Sequence, residues 1–325
     1  MINAIISITT IPCRKVMLLQ TLPYILKQKY IKKICINLDN NLSAEDYAFY
    51  DDLIAKQDSR IEINKNCDPS WRSANKLIPT LLKYPDDIII TMDDDFSYDE
   101  NNTKEMIETY IRNPECIIAQ EINPVVFNNG ELRYYNKLDI KLMQKEYGKY
   151  LTNCCLFPPH VFDNTEVFDL DKMLRLTNGT HDELWFWEQT VLKGVKVIGL
   201  DQTISLTIDS DIVHSDTDYQ LSNINAEQSN IDNYNNLFNN EYGEKIKALF
   251  NSPQTFVEFD INRHNLIAHV SSLPTIKNLY NGFKIIFLLD ADMKKSQIWY
   301  LQTNIKNLNI SYYEIRQKIA QNIIK

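Results

Sequence analysis

Three consecutive aspartates, Asp93, Asp94 and Asp95, are the residues of this chain whose types and spacing most clearly indicate chemistry. They follow the apolar and β-branched residues 88–92, which predict a buried strand. Adjacent carboxylates repel one another, so folding alone gives no reason to place three of them there. Ligands of open α/β sheets bind at the carboxyl ends of strands, and carboxylate oxygens suit Mg²⁺ or Mn²⁺ with substrate phosphates completing the shell. The cluster predicts a divalent-metal site for a diphosphate-bearing substrate; the alternative is a solvated acidic turn.

Alternating strand and helix patterns surround this cluster and must position it. Strands are predicted over residues 3–9, 34–38, 61–63 and 88–92, with helical patterns over 18–26, 44–56 and 73–84 between them. A further helix is expected over 102–111, followed by strands at 116–120 and 131–135. Such an order predicts a parallel sheet with helices on both faces.

Composition limits the classes of protein that the chain can belong to. The 325 residues carry 34 basic and 43 acidic side chains, a net charge of −9, which argues against a nucleic-acid binder that works through a basic surface. Seven glycines form neither a dinucleotide-binding fingerprint nor a P-loop, and six cysteines show no zinc spacing. No apolar run is long enough to span a bilayer, and the N-terminus shows no signal-peptide pattern. We therefore expect a cytoplasmic enzyme with reduced thiols.

Several motifs together resemble a bacterial group of GT-A glycosyltransferases of the family 2 type. The resemblance covers about residues 3 to 215, and its motifs occur in the order found in that family. They are residues 8–14 (ITTIPCR), 76–81 (KLIPTL) with 84–86 (YPD), 89–95 (IITMDDD), 155–159 (CLFPP), 181–185 (HDELW) and 192–197 (LKGVKV).

This resemblance implies an α/β fold of the GT-A type, which has a Rossmann-like, mostly parallel central sheet flanked by helices. Residues 1–217 are then the nucleotide-sugar-binding and catalytic domain. Residues 218–325 are expected to form a helical linker and a smaller C-terminal α/β appendage of unknown role. The last stretch, 311–325, is predicted to be a basic amphipathic helix, either solvated or near a membrane or partner.

The resemblance also implies roles for individual residues at the donor site. Asp93 is expected at the ribose and the metal, Asp95 on a Mn²⁺ or Mg²⁺ ion that bridges the diphosphate, and Asp94 between them. His214 is implied as a third metal ligand, against the alternative of an ordinary surface or core histidine. The remaining donor contacts are expected from Thr10, Arg14, Asp39 and Lys76, where Arg14 and Lys76 would meet phosphate and Asp39 the base or ribose. The alternatives are a surface arginine for Arg14, a lysine that solvates its helix face for Lys76, and a plain turn residue for Asp39.

A second cluster, Asp182 and Glu183, is where the family places the catalytic base. Asp182 is expected to take the proton of the acceptor hydroxyl, with Glu183 as the substitute. A structural alternative accounts for Glu183, because Thr180 as N-cap and Glu183 three residues later would form a capping box. Trp185 and Trp187 cannot share one helical face, so one is expected in the core while the other could stack on a sugar.

The expected function is therefore a metal-dependent, hexosyltransferase-like glycosyltransferase. It would move a sugar from a nucleotide-sugar, preferably UDP-linked, to a hydroxyl of a bacterial capsule or lipooligosaccharide glycan, with inversion preferred. The partners are the donor and a glycan or lipid-linked glycan acceptor, with no nucleic acid, and peripheral association with the inner face of the cytoplasmic membrane is open. The alternatives are a nucleotidyltransferase acting on sugar phosphates and a non-catalytic sugar-nucleotide or glycan-binding module.

Overall fold

The computed structural model describes most of the chain and divides it into two units. The described residues are 2–123, 125–128, 131–134, 140–141, 149–150, 152–177, 179, 181–200, 241–250, 256–279, 284–290, 292–310 and 313–317. Unit 1 comprises residues 1–122 and 149–242, and unit 2 comprises 123–148 and 243–325. The expected boundary at 217/218 lies outside the described residues and stays a prediction. The grouping of residues 123–148 with the C-terminal unit is a discontinuity that the sequence did not indicate.

Unit 1 is built on a seven-stranded sheet. Its strands, in spatial order, are β3 (Ile61–Cys67), β2 (Ile31–Asp39), β1 (Ala4–Thr9), β4 (Ile89–Met92), β11 (Cys154–Phe157), β5 (Ile117–Ala119) and β12 (Val197–Gly199). All neighbouring pairs are parallel except those of β11, which runs antiparallel to both β4 and β5. Two short strands, β6 (Ile122–Asn123) and β10 (Lys149–Tyr150), pair with each other.

Helices cover both faces of this sheet. They are α1 (Lys15–Leu26), α2 (Ala44–Phe49), α3 (Ile78–Lys83), α4 (Asn102–Arg112), α5 (Leu170–Thr177) and α6 (Asp182–Lys193). On one face, alternate residues of β1 such as Ile6 and Ile8 join a core with residues of α1 and α4. On the other face, Ser7 shares a buried hydrogen bond with Thr80 of α3. Burial on both faces explains why these strands are continuous apolar runs. The predicted α/β class with a mostly parallel, helix-flanked sheet is confirmed.

Two predicted helices of unit 1 are interrupted. The stretch expected over 44–56 is α2 followed by a π turn, Tyr50–Ile54, and a 3-10 turn, Ala55–Gln57. The stretch expected over 73–84 is a 3-10 segment, Pro69–Lys76, followed by α3. Pro79 lies at the start of α3, where the missing N–H costs no helical hydrogen bond. The break between the two parts leaves Lys76 at the end of the 3-10 segment.

Unit 2 has its own sheet and core. Its four-stranded sheet has the order β15 (Tyr313–Gln317), β14 (Lys284–Leu289), β13 (Phe256–Ile261) and β9 (Ile140–Lys141), with only β9 antiparallel. An antiparallel pair, β7 (Val125–Asn128) and β8 (Glu131–Tyr134), also belongs to this unit. The helices are α7 (Gly243–Phe250), α8 (Leu266–Leu279) and α9 (Lys295–Asn307). Apolar residues of β13, β14, α8 and α9 form one cluster, in which Phe259 stacks on Phe287.

The predicted C-terminal helix over 311–325 is wrong in its described part, because residues 313–317 form strand β15. In the register of the sheet, Ile315 pairs with Phe287 of β14, and its side chain packs against the unit 2 core. The apolar and charged residues of this stretch therefore reflect a strand at a sheet edge. Among the described residues, no helix is long and apolar enough to cross a membrane.

Candidate functional site

Polar residues from three strands meet at one edge of the unit 1 sheet. Thr10 follows β1, Asp39 ends β2, and the three aspartates follow β4. Because β1, β2 and β4 are parallel, their carboxyl ends lie at the same edge. The sequence therefore brings these residues together as predicted, and the structure shows which of them touch.

Asp94 turns inward and joins the ends of β1 and β4. Its side chain is 2% exposed, Thr10 Oγ1 donates to its Oδ2 at 2.6 Å, and Arg14 Nη1 donates to its Oδ1 at 2.7 Å. Thr21 of α1 donates to its backbone carbonyl at 2.9 Å. Burial raises the pKa of Asp94 to about 6, even though the guanidinium of Arg14 works in the opposite direction. Both carboxylate oxygens of Asp94 thus accept hydrogen bonds from other side chains of the protein. A direct contact of Asp94 or Thr10 with a nucleotide stays a prediction.

Arg14 links two of the three aspartates. Its second nitrogen, Nη2, donates to Asp95 Oδ2 at 2.9 Å, so the planar guanidinium bridges Asp94 and Asp95. Burial works against the charge of Arg14, but the nearby carboxylates outweigh it and raise its pKa. Burial and the neighbouring Asp93 raise the pKa of Asp95. The side chain of Arg14 is a quarter exposed, which leaves it accessible to a phosphate from the solvent side.

Lys76 is a buried cation at the centre of the acidic residues. Ser7 of β1 donates to its backbone carbonyl, and its Nζ donates to Asp93 Oδ1 at 2.7 Å. The side chain of Lys76 is 9% exposed and that of Asp93 is 24% exposed. Burial alone would lower the pKa of Lys76, but the charges of Asp93, Asp182 and Glu183 raise it. Lys76 therefore does not solvate a helix face; it lies in the site.

Asp182 comes to this cluster from the start of α6, far along the chain. Ser73 Oγ donates to its Oδ1 at 2.7 Å, while its Oδ2 is buried and accepts no hydrogen bond from the part of the chain that the structure describes. Burial raises the pKa of Asp182; Lys76 and Ser73 lower it in part. A buried acceptor without a donor is costly, so Asp182 Oδ2 has an open position for a further hydrogen-bond donor.

Glu183 is held by a different partner from the one predicted. The residue at the N-cap position of α6 is His181, so the expectation that Thr180 is the N-cap is wrong. Thr180 itself lies outside the described residues. The Glu183 carboxylate instead accepts from Thr152 N at 3.0 Å and from Thr152 Oγ1 at 3.2 Å. Two acids in the first turn of α6 are favoured by the helix dipole. The hydrogen bonds of Glu183 connect this turn to the segment before β11.

Both tryptophans of α6 are in the core. Trp185 and Trp187 are fully buried, and Trp185 Nε1 donates to the carbonyl of Val167 at 2.9 Å. The expectation that one of them could stack on a sugar is therefore wrong. Trp185 and Trp187 lie on different faces of α6, but this helix is buried on nearly all sides, so both side chains pack inside the protein.

Asp39 lies at the same sheet edge, but its side chain contacts Asn75 and not the aspartates that follow β4. Asn75 Nδ2 donates to its Oδ1 at 3.1 Å and to the carbonyl of Asp68 at 2.8 Å. Burial raises the pKa of Asp39, Asn75 lowers it in part, and the charge of Asp68 adds to the increase. Asn75 directly precedes Lys76, so one short segment connects Asp39 to the aspartates after β4.

Sequence reasoning missed Ser73, Arg72 and Tyr98. Arg72 has φ 49° and ψ −123°, a conformation that strains a residue with a side chain, and its Nη1 donates to the Gly179 carbonyl at 3.3 Å. Gly179 has φ +67°, a left-handed backbone conformation that favours glycine, and a Cβ there would lie 2.7 Å from Leu174 Cδ2, which would have to move. Tyr98 OH accepts from Asp93 N at 2.8 Å and donates to the Asn153 carbonyl at 2.9 Å. No motif marks these residues: the partners of Arg72 and Ser73 are more than 100 residues away, and Tyr98 joins nearby Asp93 to distant Asn153.

The donor chemistry fits a cation that is shared with a ligand. Within the described residues, no group of three or more His, Cys, Asp or Glu side chains could hold a metal by itself. Asp93 and Asp95 each use one oxygen for Lys76 or Arg14, and a carboxylate has lone pairs for further ligands. Two carboxylates with phosphate oxygens and water are a typical Mg²⁺ environment. The predicted third ligand, His214, lies outside the described residues.

No family model matches the chain, and no curated protein matches it in sequence. Among solved structures, it is similar to a 4-diphosphocytidyl-2C-methyl-D-erythritol synthase over 65% of this chain and 95% of that one, at 12% identity and TM-score 0.39. It is also similar to S. aureus TarS 1–349 in complex with UDP, over 62% of this chain and 59% of that one, at 9% identity and TM-score 0.43.

A third similar structure is the mannosyltransferase PcManGT from Pyrobaculum calidifontis in complex with GDP-Man and Mn²⁺. The alignment covers 62% of this chain and 55% of that one, at 8% identity and TM-score 0.39. At such identities and TM-scores, the function of this chain must be argued from its own residues.

Proposed function

We propose that the chain is a metal-dependent glycosyltransferase that moves a sugar from a nucleotide-sugar to a hydroxyl group. The observation that carries the proposal is the meeting of Asp93, Lys76 and Asp182 at one sheet edge, with a buried oxygen of Asp182 that lacks a donor among the described residues. Binding alone would not require a carboxylate held in this way. A transfer reaction requires one that can take a proton.

In the proposed reaction, the acceptor hydroxyl oxygen forms a bond to the anomeric carbon of the donor sugar. The bond from that carbon to the diphosphate oxygen breaks, and its electron pair leaves with the diphosphate. The hydroxyl proton passes to Asp182 Oδ2. Attack from the side opposite the diphosphate inverts the anomeric carbon. Because burial raises its pKa, Asp182 is a stronger base than an ordinary aspartate.

The diphosphate would be held on the side of Lys76 that faces Asp93 rather than Asp182. Asp93 and Asp95 would hold a Mn²⁺ or Mg²⁺ ion, which supplies charge neutralisation for the leaving diphosphate. Arg14 and Lys76 are the basic side chains in position to meet phosphate oxygens. In this arrangement Arg14 and Lys76 would exchange part of their contacts with carboxylates for contacts with phosphate. Asp94 and Thr10 would keep the ends of β1 and β4 together.

The proposed donor is a UDP-sugar, and the proposed acceptor is a hydroxyl of a bacterial capsule or lipooligosaccharide glycan, free or lipid-linked. Both follow from the sequence resemblance of residues 3 to 215. Discrimination between sugars depends on one or two hydroxyl contacts in the pocket walls.

The first test is a thermal-shift panel of nucleotides and nucleotide-sugars with and without Mn²⁺ or Mg²⁺. A ligand that binds the native state raises the melting temperature by mass action. Stabilisation by UDP or a UDP-sugar is expected to need the metal and to be lost in Asp95→Ala. Stabilisation by a nucleoside triphosphate, with no response to nucleotide-sugars, would favour the nucleotidyltransferase alternative. No metal-dependent response to any nucleotide would contradict the proposed site.

The second test separates catalysis from binding. Asp182→Asn is expected to retain the metal-dependent shift with the donor and to lose turnover by a factor of about 10² or more. Asp86→Asn is the matched control, because Asp86 is a largely exposed aspartate of the same unit. Retained turnover in Asp182→Asn would exclude Asp182 as the base, and Glu183→Gln would then be the next variant. A product with retained anomeric configuration would overturn the inverting mechanism.

A further inference from the structure

Two neighbouring helices of unit 2 are free of acidic residues, although the whole chain has a net charge of −9. Neither α8 nor α9 contains aspartate or glutamate, whereas Arg263, Lys277, Lys294, Lys295 and Lys306 lie in or directly before them. The nearest acids in sequence lie outside both helices, at positions 260, 290, 292 and 314. Charge is therefore separated within the chain, and this pair of helices carries a positive excess.

The same two helices expose large apolar side chains. Ile267 is 72% exposed, Trp299 66% and Tyr300 42%, whereas buried residues of the same helices, such as Leu273 and Leu301, form the core against the sheet. Trp and Tyr are amphipathic and are enriched where a protein meets the interface between water and lipid. An isolated exposed apolar residue needs no explanation, but three on one helix pair form a patch.

Ile267 of α8 and Tyr300 of α9 line one groove. A shallow groove between the helices, of about 360 Å³, is lined by Arg263, Leu266, Ile267, Ser296, Gln297 and Tyr300. Lys295 and Trp299 are four residues apart on α9 and therefore neighbours on the helix surface. We call this surface, formed by Arg263, Ile267, Lys295, Trp299 and Tyr300, the α8–α9 face.

We propose that the α8–α9 face docks onto the surface of an anionic phospholipid bilayer. The aromatic rings and Ile267 would enter the headgroup region, while Arg263, Lys294 and Lys295 would meet lipid phosphates. Charge complementarity selects this partner: a neutral glycan or an apolar protein surface would not explain why both helices lack acids and carry basic residues. The inference does not depend on the reaction proposed above, since it rests on unit 2 alone.

The experiment is vesicle flotation of the full chain. Vesicles of phosphatidylcholine alone are compared with vesicles that also contain phosphatidylglycerol, at low and high salt. Binding is expected only with the anionic lipid and is expected to weaken as salt increases. Lys294→Gln and Lys295→Gln should each weaken partitioning about fivefold, and Trp299→Ser should weaken it at least as much. Lys104→Gln and Ile111→Ser, at exposed positions of α4, are the matched controls.

A second readout is independent of flotation. Trp299 is the most exposed of the four tryptophans, since Trp185 and Trp187 are buried and Trp71 is half-buried. Its emission should shift to shorter wavelength on adding anionic vesicles, and Trp299→Phe should abolish the shift while preserving flotation.

Three results would overturn the proposal. Equal flotation with neutral and anionic vesicles would remove the electrostatic basis. Equal flotation of the α8–α9 variants and the α4 controls would place the lipid contact elsewhere. Absence of flotation, combined with a concentration-dependent oligomer that Trp299→Ser disrupts, would show that the face pairs with a second copy of the chain. Loss of turnover without loss of flotation would refute only the glycosyltransferase proposal.

Discussion

Replacing Lys76 by glutamine should destabilise the protein strongly, and more so at high pH than at low pH. Lys76 is the buried cation that contacts Asp93 and whose charge acts on Asp182. Removing one partner of a fully buried pair costs about 3–5 kcal/mol, whereas an exposed pair contributes about 0.2–1 kcal/mol. Because Asp93 is 24% exposed and Lys76 is 9% exposed, we expect a loss of about 2–3 kcal/mol at pH 8.

The sign of the pH dependence follows from the acids that Lys76 faces. Burial already raises the pKa values of Asp95 and Asp182 above the unfolded value, and the charge of Lys76 lowers both in part. Without Lys76 these pKa values rise further. A raised folded pKa means that the folded state binds more protons, so stability falls as pH rises from the unfolded value through the folded one. The penalty of Lys76→Gln should therefore be smallest near pH 5 and largest near pH 8.

The assay is thermal and urea unfolding of wild type and variant at pH 5 and pH 8 in the presence of a chelator. Lys104→Gln is the control, because Lys104 forms an exposed pair with Glu108 on α4 and should change stability by no more than about 0.5 kcal/mol. Mn²⁺ in place of the chelator should restore part of the stability of Lys76→Gln, since a cation would again neutralise Asp93 and Asp95. Equal losses at both pH values, or a loss no greater than that of the control, would refute this account of Lys76.

Three further predictions concern other parts of unit 1. Ser73→Ala should raise the pKa of Asp182, because the Ser73 hydrogen bond lowers it, and should move the acidic limb of the kcat/KM profile to higher pH; a carboxyl ¹³C titration checks the shift without turnover. Burial opposes the charge of Glu62, but two lysines and a tyrosine lower its pKa to about 2, so its contribution is present above pH 4.5 and lost toward pH 2. Glu62→Gln should therefore cost about 1 kcal/mol at pH 7 and converge with wild type near pH 2 in urea unfolding. Iodoacetamide at pH 8 should label the exposed Cys13 well before Cys155, because burial raises the pKa of the Cys155 thiol well above its usual value; mass spectrometry of native protein would contradict this if Cys155 were labelled first.

The sequence was sufficient to predict the strands and their common edge. Continuous apolar runs at residues 88–92 and 34–38 can only be buried on both faces, and alternation with helical patterns requires parallel neighbours. The helices were predicted less accurately, because the breaks within 44–56 and 73–84 were not foreseen. The 73–84 stretch has helical periodicity, but a continuous helix would place Pro79 in its interior, and α3 instead begins one residue before this proline. The resulting break leaves Lys76 at the end of the 3-10 segment, in contact with Asp93.

Side-chain pairing at the site could not be predicted from spacing. Three adjacent aspartates have the same local sequence signal, yet Asp94 is buried on Arg14 and Thr10, whereas Asp93 and Asp95 remain partly open. Ser73 and Asp182 are 109 residues apart, and nothing in either segment indicates the other. The C-terminal stretch was misjudged for a related reason: five residues of β15 at a sheet edge follow the register of β14, which a single-sequence pattern does not contain.

The pairing of acids with Arg14 and Lys76 would let the same sheet edge be stable without ligand and still carry out the proposed reaction. Unpaired, three aspartates and Asp182 would repel one another strongly at neutral pH. Arg14 and Lys76 neutralise them in the absence of ligand, but each of these cations also has the chemistry that binds phosphate. A divalent ion arriving with a diphosphate would take oxygens of Asp93 and Asp95, while Lys76 Nζ and Arg14 Nη2 would take phosphate oxygens. Arg14 Nη1 would keep its contact with Asp94, so ligand binding need not leave this buried carboxylate unpaired. Asp94, which is almost fully buried, is the member of the cluster that need not take part, and it can hold the ends of β1 and β4 in place throughout.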